Sequence, residues 1–174
     1  MNSGKPLGTA QPAGAAKASA GSAPSAQYLT FQLGEEEYGI DILKVQEIRS
    51  YERPTRMAQA PEFIKGVIDL RGVIVPIVDL RLKLHCARAD YTDFTVVIIL
   101  NVRGTVIGVV VDAVADVVAL APDLIKPTPQ FKTQIDAAFV TGIASVGERM
   151  LVMMDIEALL DSAEMGLLAQ LAQH

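Results

Sequence analysis

The alternation of apolar and polar positions changes rhythm along the chain, and each change marks an element. Tyr28-Leu-Thr-Phe-Gln-Leu33 alternates, Gly34-Glu-Glu-Glu37 interrupts it, and Tyr38-Gly-Ile-Asp-Ile42 resumes. Period-two alternation on both sides of a Gly-led polar cluster predicts strand, turn and strand. Ile42, Val45 and Ile48 then share a face at three-residue spacing, which predicts a short helix or an irregular turn. Pro54 and Pro61 break up the next stretch. Residues 66–84 form two apolar runs around Asp69-Leu-Arg-Gly72, a hairpin pattern. Pro76 lies inside the second run and cannot donate to a ladder, so that strand is expected at an edge or a bulge.

The second half repeats the theme. Thr95 to Leu100 reads as a strand, Asn101 to Gly104 as a turn, and Thr105 to Val111 as a strand. Ala121-Pro-Asp123 and Pro127-Thr-Pro129 mark loops. Phe139 to Ile143 and Met150 to Met154 form the last strands. Ile156, Leu159, Leu160 and Ala163 then follow helical spacing, continued by Leu167, Leu168 and Leu171, with Asp155 as the N-cap of a helix over 155–174.

The two halves align without gaps in two blocks. Phe31 to Gly39 matches Leu100 to Gly108, and Glu47 then falls on Asp116. Gly66 to Asp79 matches Gly142 to Asp155. This is an internal duplication of a small β unit. A unit of some 55–60 residues buries only about 60% of its unfolded surface, so the two copies are expected to pack together. Many short strands favour paired small barrels over a sandwich.

Composition then narrows the function classes. The chain has 174 residues and is 51% hydrophobic, but only 5% aromatic with no Trp, so its core is aliphatic. Residues 1–27 differ: nineteen are Ala, Gly, Ser or Pro, with no acidic residue, and a flexible tail is expected there. The whole chain carries a net −5 and the part after the tail −7. That argues against nucleic acid, which needs a basic face, and against a polybasic membrane contact. No apolar run approaches the roughly 18 residues of a spanning helix, and three prolines interrupt the N-terminal stretch where a signal peptide would need its apolar core. Cys86 alone permits no internal disulfide and fits a reducing compartment. A soluble, cytoplasmic protein is expected.

Candidate chemistry is sparse. There is no Gly-x-Gly-x-x-Gly, no Walker-type Gly-Lys-Ser/Thr, no Cys pair and no His-x-x-x-His, so neither cofactor nor metal nor catalysis is expected. His85 and Cys86 are adjacent on an extended chain and point apart, which disfavours a thiol–base pair. Glu35, Glu36 and Glu37 read as a solvated tip. Asp112 and Asp116 read as strand-end turn residues, because no oxygen-rich loop surrounds them. Asp79 and Asp155 occupy matching repeat positions, which suggests capping. Arg71 sits at a hairpin tip whose repeat equivalent is Gly147, so only one copy displays it. It either clamps a partner carboxylate in bidentate fashion or pairs with Asp69 or Glu47 within the chain. Phe131 stands alone in the polar loop Lys126 to Gln134, either tucked under that loop or exposed as an anchor.

Two long segments carry a family resemblance. Tyr38-Gly-Ile-Asp-Ile-Leu-Lys-Val-Gln-Glu-Ile-Arg49 and Phe63-Ile-Lys-Gly-Val-Ile-Asp-Leu-Arg-Gly-Val-Ile-Val-Pro-Ile-Val-Asp-Leu-Arg81 closely resemble the bacterial chemotaxis coupling proteins of the CheW family, as do Val109-Val-Val-Asp112, Thr141-Gly142 and Arg149-Met-Leu151. The resemblance covers about residues 28–165. It implies two interlocked five-stranded SH3-like barrels with a short C-terminal helix, the first of about 28–84 plus C-terminal elements and the second of about 92–155. It implies a non-catalytic adaptor, recruited to membrane-associated arrays, that joins the cytoplasmic tip of transmembrane chemoreceptors to the regulatory domain of the histidine kinase CheA, with other CheW copies as ring neighbours. The family's receptor-binding groove maps to Val45, Glu47, Ile48, Gly66 and Arg71. Its kinase and ring contacts map to Ile42, Lys126 and Phe131. The family motif reads Asn-Leu-Arg-Gly where this chain has Asp69-Leu-Arg-Gly72, so Asp69 is expected either to pre-orient Arg71 or to compete for it.

Overall fold

The computed structural model describes residues 24–86, 89–127 and 139–172. Two hairpins open the two halves. In the first, β1 (Ala26–Leu33) pairs antiparallel with β2 (Glu36–Asp41). After a 3-10 turn at Ile42–Lys44 comes β3 (Val45–Ser50), then the hairpin β4 (Ile64–Leu70) and β5 (Val73–Asp79), and the four-residue α1 (Leu80–Lys83). In the second half β6 (Val96–Val102) and β7 (Thr105–Val111) form the hairpin, followed by β8 (Ala113–Leu120) and the short β9 (Ile125–Lys126). The hairpin β10 (Val140–Val146) and β11 (Arg149–Met154) precedes α2 (Ser162–Ala172).

The strands form a six-stranded sheet, β8-β1-β2-β11-β10-β9, and a five-stranded sheet, β3-β6-β7-β5-β4. Neither sheet is built from consecutive residues, because the halves exchange elements. After each opening hairpin the chain crosses over, so β3 joins β6 of the second half and β8 joins β1 of the first. Parallel contacts complete each sheet, β5 on β7 and β11 on β2. The duplication holds in detail. β5 crosses β7 where Gly108 faces Ile77, and β11 crosses β2 where Gly39 faces Met153. A Cβ would lie 2.7 Å from Ile77 Cδ1 at Gly108 and 2.9 Å from Met153 Cε at Gly39. Each sheet has its own small core: Val75, Ile77, Ile99 and Val110 in one, Ala144, Leu151 and Met153 in the other. A larger shared core, including Phe31, Ile40, Ile98, Val109 and Leu168, lies between them.

Four local expectations change. Val45–Ile48 is strand rather than helix, the helical part being confined to Ile42–Lys44. β5 is internal rather than an edge. Pro76 fits there because Val67 opposite it exchanges both backbone bonds with Thr55, and the pairing with β7 starts only at Ile77. Asp155 caps a 3-10 turn at Ile156–Ala158 through Glu157 N, as Asp79 caps α1 through Arg81 N. The C-terminal helix starts later, behind a reciprocal capping box: Asp161 Oδ1 accepts from Glu164 N at 2.7 Å and Glu164 Oε1 from Asp161 N at 2.9 Å.

A buried charge cluster ties the sheets together. Arg81 on α1 is fully buried. Its Nε and Nη2 each donate to Asp79 at 3.0 Å, and Nη1 donates to Asp112 Oδ1 at 2.9 Å and to the Asp90 carbonyl at 2.5 Å. The Tyr91 ring covers its guanidinium, and the Tyr91 hydroxyl donates to Asp79. The other oxygen of Asp112 accepts from Gly34 N, at the β1–β2 turn of the opposite sheet.

Candidate functional site

The five-stranded sheet curls so that its outer strands approach. Thr55, beyond β3, bridges to Val67 of β4. Gly66 makes this possible: at φ 139 it is buried, and a Cβ there would stand 2.0 Å from Thr55 O. Gly142 plays the same part against Lys126 O in the other sheet. Gly66 therefore permits backbone closure rather than presenting a surface.

Above that closure lies the Arg71 tip. Leu70 and Val73 face each other, leaving Arg71-Gly72 as a two-residue loop with φ 53 and 88. Positive φ at both positions is the hairpin turn that matches strand twist. Asp69 Oδ1 accepts from Gly72 N at 2.7 Å and holds the turn. An Asn Oδ1 does the same job, and Asn101 does so for Gly104 at 2.9 Å. Asp69 thus serves the turn as Asn101 serves its own.

Arg71 leans across to β3, where its Nη2 donates to Glu47 Oε1. Glu47 also accepts from Arg49 at 3.4 Å, and Arg49 donates to Glu52 at 2.9 Å. The Arg71 guanidinium, with the smaller contribution of Arg49, holds the Glu47 carboxyl below the usual carboxylate range. A bulge between Val45 and Glu47 separates two roles along β3: Val45 packs against the shared core and Glu47 reaches Arg71. Ile48 is exposed. Glu47 and Arg71 thus come together at one sheet margin, whereas Val45 and Ile48 belong to the other face of β3.

The remaining predicted residues lie apart. Ile42 is partly buried against the shared core in the 3-10 turn. Its neighbour Leu43 escaped sequence reasoning and is 86% exposed; Asp41, capping that turn through Leu43 N, is the signal that could have found it. Lys126 is exposed on β9 of the other sheet. Phe131 lies outside the described residues.

The acidic candidates resolve into ion pairs. Asp116 accepts from Arg149 and Thr30, and Arg149 also holds Glu37, so Glu37 is not part of a solvated tip. Asp112 faces Arg81 and Gly34. Burial, followed by the charge of Asp112, pushes the Cys86 thiol up, away from thiolate chemistry. Among the described residues no three His, Cys, Asp or Glu are grouped to hold a metal ion, and no helix is long and apolar enough to cross a membrane.

The arrangement is a sheet margin that carries an exposed charged fork on a duplicated β scaffold. A family model described as the CheW-like domain matches residues 27–164. The chain belongs to the CheW-like family. It is 51% identical over 154 residues to Chemotaxis protein CheW of Klebsiella aerogenes, covering 88% of this chain and 93% of that one. Chemotaxis protein CheW of Bacillus subtilis is 32% identical over 133 residues, covering 76% and 85%. The crystal structure of scaffolding protein TtCheW from Thermoanaerobacter tengcongensis superposes with a TM-score of 0.73 at 34% identity, covering 80% of this chain and 94% of that one. These relatives support a chemotaxis adaptor or scaffold role, and the two sheets fit the two SH3-like subdomains that the CheW resemblance implied.

Proposed function

We propose that this chain is a non-catalytic adaptor coupling the cytoplasmic tip of chemoreceptors to the regulatory domain of the histidine kinase CheA. The receptor contacts Glu47 and Arg71 at the sheet margin and Val45 and Ile48 on the other face of β3, with Gly66 holding that margin closed. The kinase and neighbouring CheW copies in the ring use the 3-10 turn with Ile42 and Leu43, together with Lys126 and Phe131. The observation that carries this reading is the Arg71 fork, 69% exposed on a two-residue turn and reaching Glu47 on β3.

The internal pair with Glu47 fits such use. Exposed ion pairs contribute little to stability, so Arg71 can exchange Glu47 for a partner carboxylate at small cost. Arg49 then remains at 3.4 Å to neutralise Glu47. Exposed apolar side chains with a few charges suit a scaffold whose partners must exchange.

Arg71→Ala tests the reading in two separate pull-downs, one with a receptor cytoplasmic fragment and one with the kinase regulatory domain. Receptor capture falls and kinase capture persists. Equal loss of both would assign Arg71 to the fold instead. Placing a charge at Phe131 disturbs array assembly more than one-to-one receptor binding.

A further inference from the structure

Each sheet bears two tight hairpin tips, and at all four the first loop residue sits in the left-handed region. In the six-stranded sheet these residues are Gly34 and Gly147, both at φ 62. In the five-stranded sheet they are Arg71 and Arg103, both at φ 53. The duplication aligns Arg103 with Gly34 and Arg71 with Gly147. Glycine adopts this conformation freely, whereas a residue with a Cβ is strained in it. At the glycine tips only the first loop residue has positive φ, whereas at the arginine tips both do, with Gly72 and Gly104 second. Arginine at the first position of both tips of one sheet holds a side chain in a strained conformation, and such strain marks a site of use.

The two arginine tips are built alike. In Asp69-Leu-Arg-Gly72 and Asn101-Val-Arg-Gly104 the first side-chain oxygen accepts from the glycine N–H, at 2.7 and 2.9 Å. The glycines follow at φ 88 and 85. Strand directions bring both tips to one rim. β5 runs parallel to β7 with Ile77 opposite Gly108, and continuing that register sets Gly72 level with Arg103. Adjacent hairpins are centred two strand spacings apart, about 10 Å. The Arg103 side chain is 62% exposed, and its contact with Glu157 is loose at 3.9 Å, because Lys44 holds that carboxylate at 2.7 Å.

We propose that Arg103 is a second arginine of the partner-binding rim, so that the bound protein segment presents at least two carboxylates, one for each fork. Bidentate guanidinium–carboxylate pairing supplies the geometry. The proposal rests on the assignment of the Arg71 margin to the receptor.

The test titrates the full chain and its Arg103→Gly, Arg103→Lys and Arg71→Gly variants against a receptor cytoplasmic fragment and, separately, the kinase regulatory domain, at low and moderate salt. Arg103→Gly weakens receptor binding about tenfold, the loss of a charge-assisted contact. It also flattens the salt dependence, keeps kinase affinity within about twofold, and leaves the melting temperature equal or higher because glycine relaxes the turn. Arg103→Lys, with the charge but not the fork, falls between. Unchanged receptor affinity in Arg103→Gly, with loss in Arg71→Gly, would overturn the role of Arg103 and leave the receptor assignment standing. Unchanged affinity in both glycine variants would overturn the receptor assignment itself. A lowered melting temperature with equal loss of both partners would make Arg103 structural.

Discussion

Replacing Arg81 with Met tests the cluster that joins the two sheets. The side chains are similar in length, so packing is largely kept while five hydrogen-bond donors disappear. Asp79 is fully buried, and of its side-chain donors only the Tyr91 hydroxyl at 2.8 Å and the backbone N–H of residue 81 at 3.0 Å remain. Asp112 loses Arg81 and keeps Gly34 N. Leaving a buried charge without its partner costs roughly 3–5 kcal/mol, a large part of the about 5–15 kcal/mol that holds a typical domain folded. At roughly 2–4 °C per kcal/mol for a chain of this size, the melting temperature falls by about 6–20 °C. Urea unfolding followed by circular dichroism, with calorimetry beside it, measures the loss. Arg81→Met combined with Asp79→Leu removes both charges and regains most of the stability, short of about 1 kcal/mol for the lost cap on α1. A single variant destabilised by less than about 1 kcal/mol would refute the account, as would a double variant no more stable than the single one.

Other outcomes follow from the geometry. Gly66→Ala drives a Cβ into Thr55 O, so it lowers the melting temperature and weakens receptor and kinase binding together. Selective loss of receptor binding at full stability would show Gly66 to be a contact instead. Asp69→Asn keeps the acceptor for Gly72 N and leaves stability and receptor affinity nearly unchanged, whereas Asp69→Ala opens the turn and lowers the urea midpoint. Glu47 is held below its usual range by Arg71 and Arg49, Asp116 by Arg149 and Thr30, and Glu157 by Lys44. A depressed folded pKa gives stability that is present above the unfolded value, about 4, and is lost as pH falls below it. Stability therefore drops on acidification below about pH 4, and Asp116→Asn flattens that limb; an unchanged acid profile in that variant would contradict the pairing.

The sequence made the hairpins and the duplication legible because both are local or periodic. Gly39 and Gly108, Gly66 and Gly142, Asp79 and Asp155 each hold matching places and perform matching tasks. Two of the errors have their physical source in bulges. A bulge between Val45 and Glu47 shifts the alternation of β3, so that Val45 and Ile48 fall three apart and imitate a helix. The twin irregularity in β1–β8 pairing exposes Ala115, Asp116 and Val117 in succession and hid β8, with Asp116 passing for a turn. Exchange of strands between halves is a long-range pairing that no window of sequence reports. The candidate site was legible in its residue types, but not in its connections. Glu47 and Arg71 meet only because the sheet curls, and Arg81 looked like one more position in an apolar run.

The exchange of hairpins also sets the order in which the molecule can form. The β1–β2 hairpin finds its parallel neighbour only in β11, more than a hundred residues later. Closing so long a loop must precede the contacts that reward it, which slows folding. During synthesis the N-terminal hairpin waits with an uncovered edge until the last strands leave the ribosome. Cut in the connection between α1 and β6, neither fragment holds a full complement of strands, but the two together do. The duplicated unit therefore works as a pair, because each sheet draws strands from both copies.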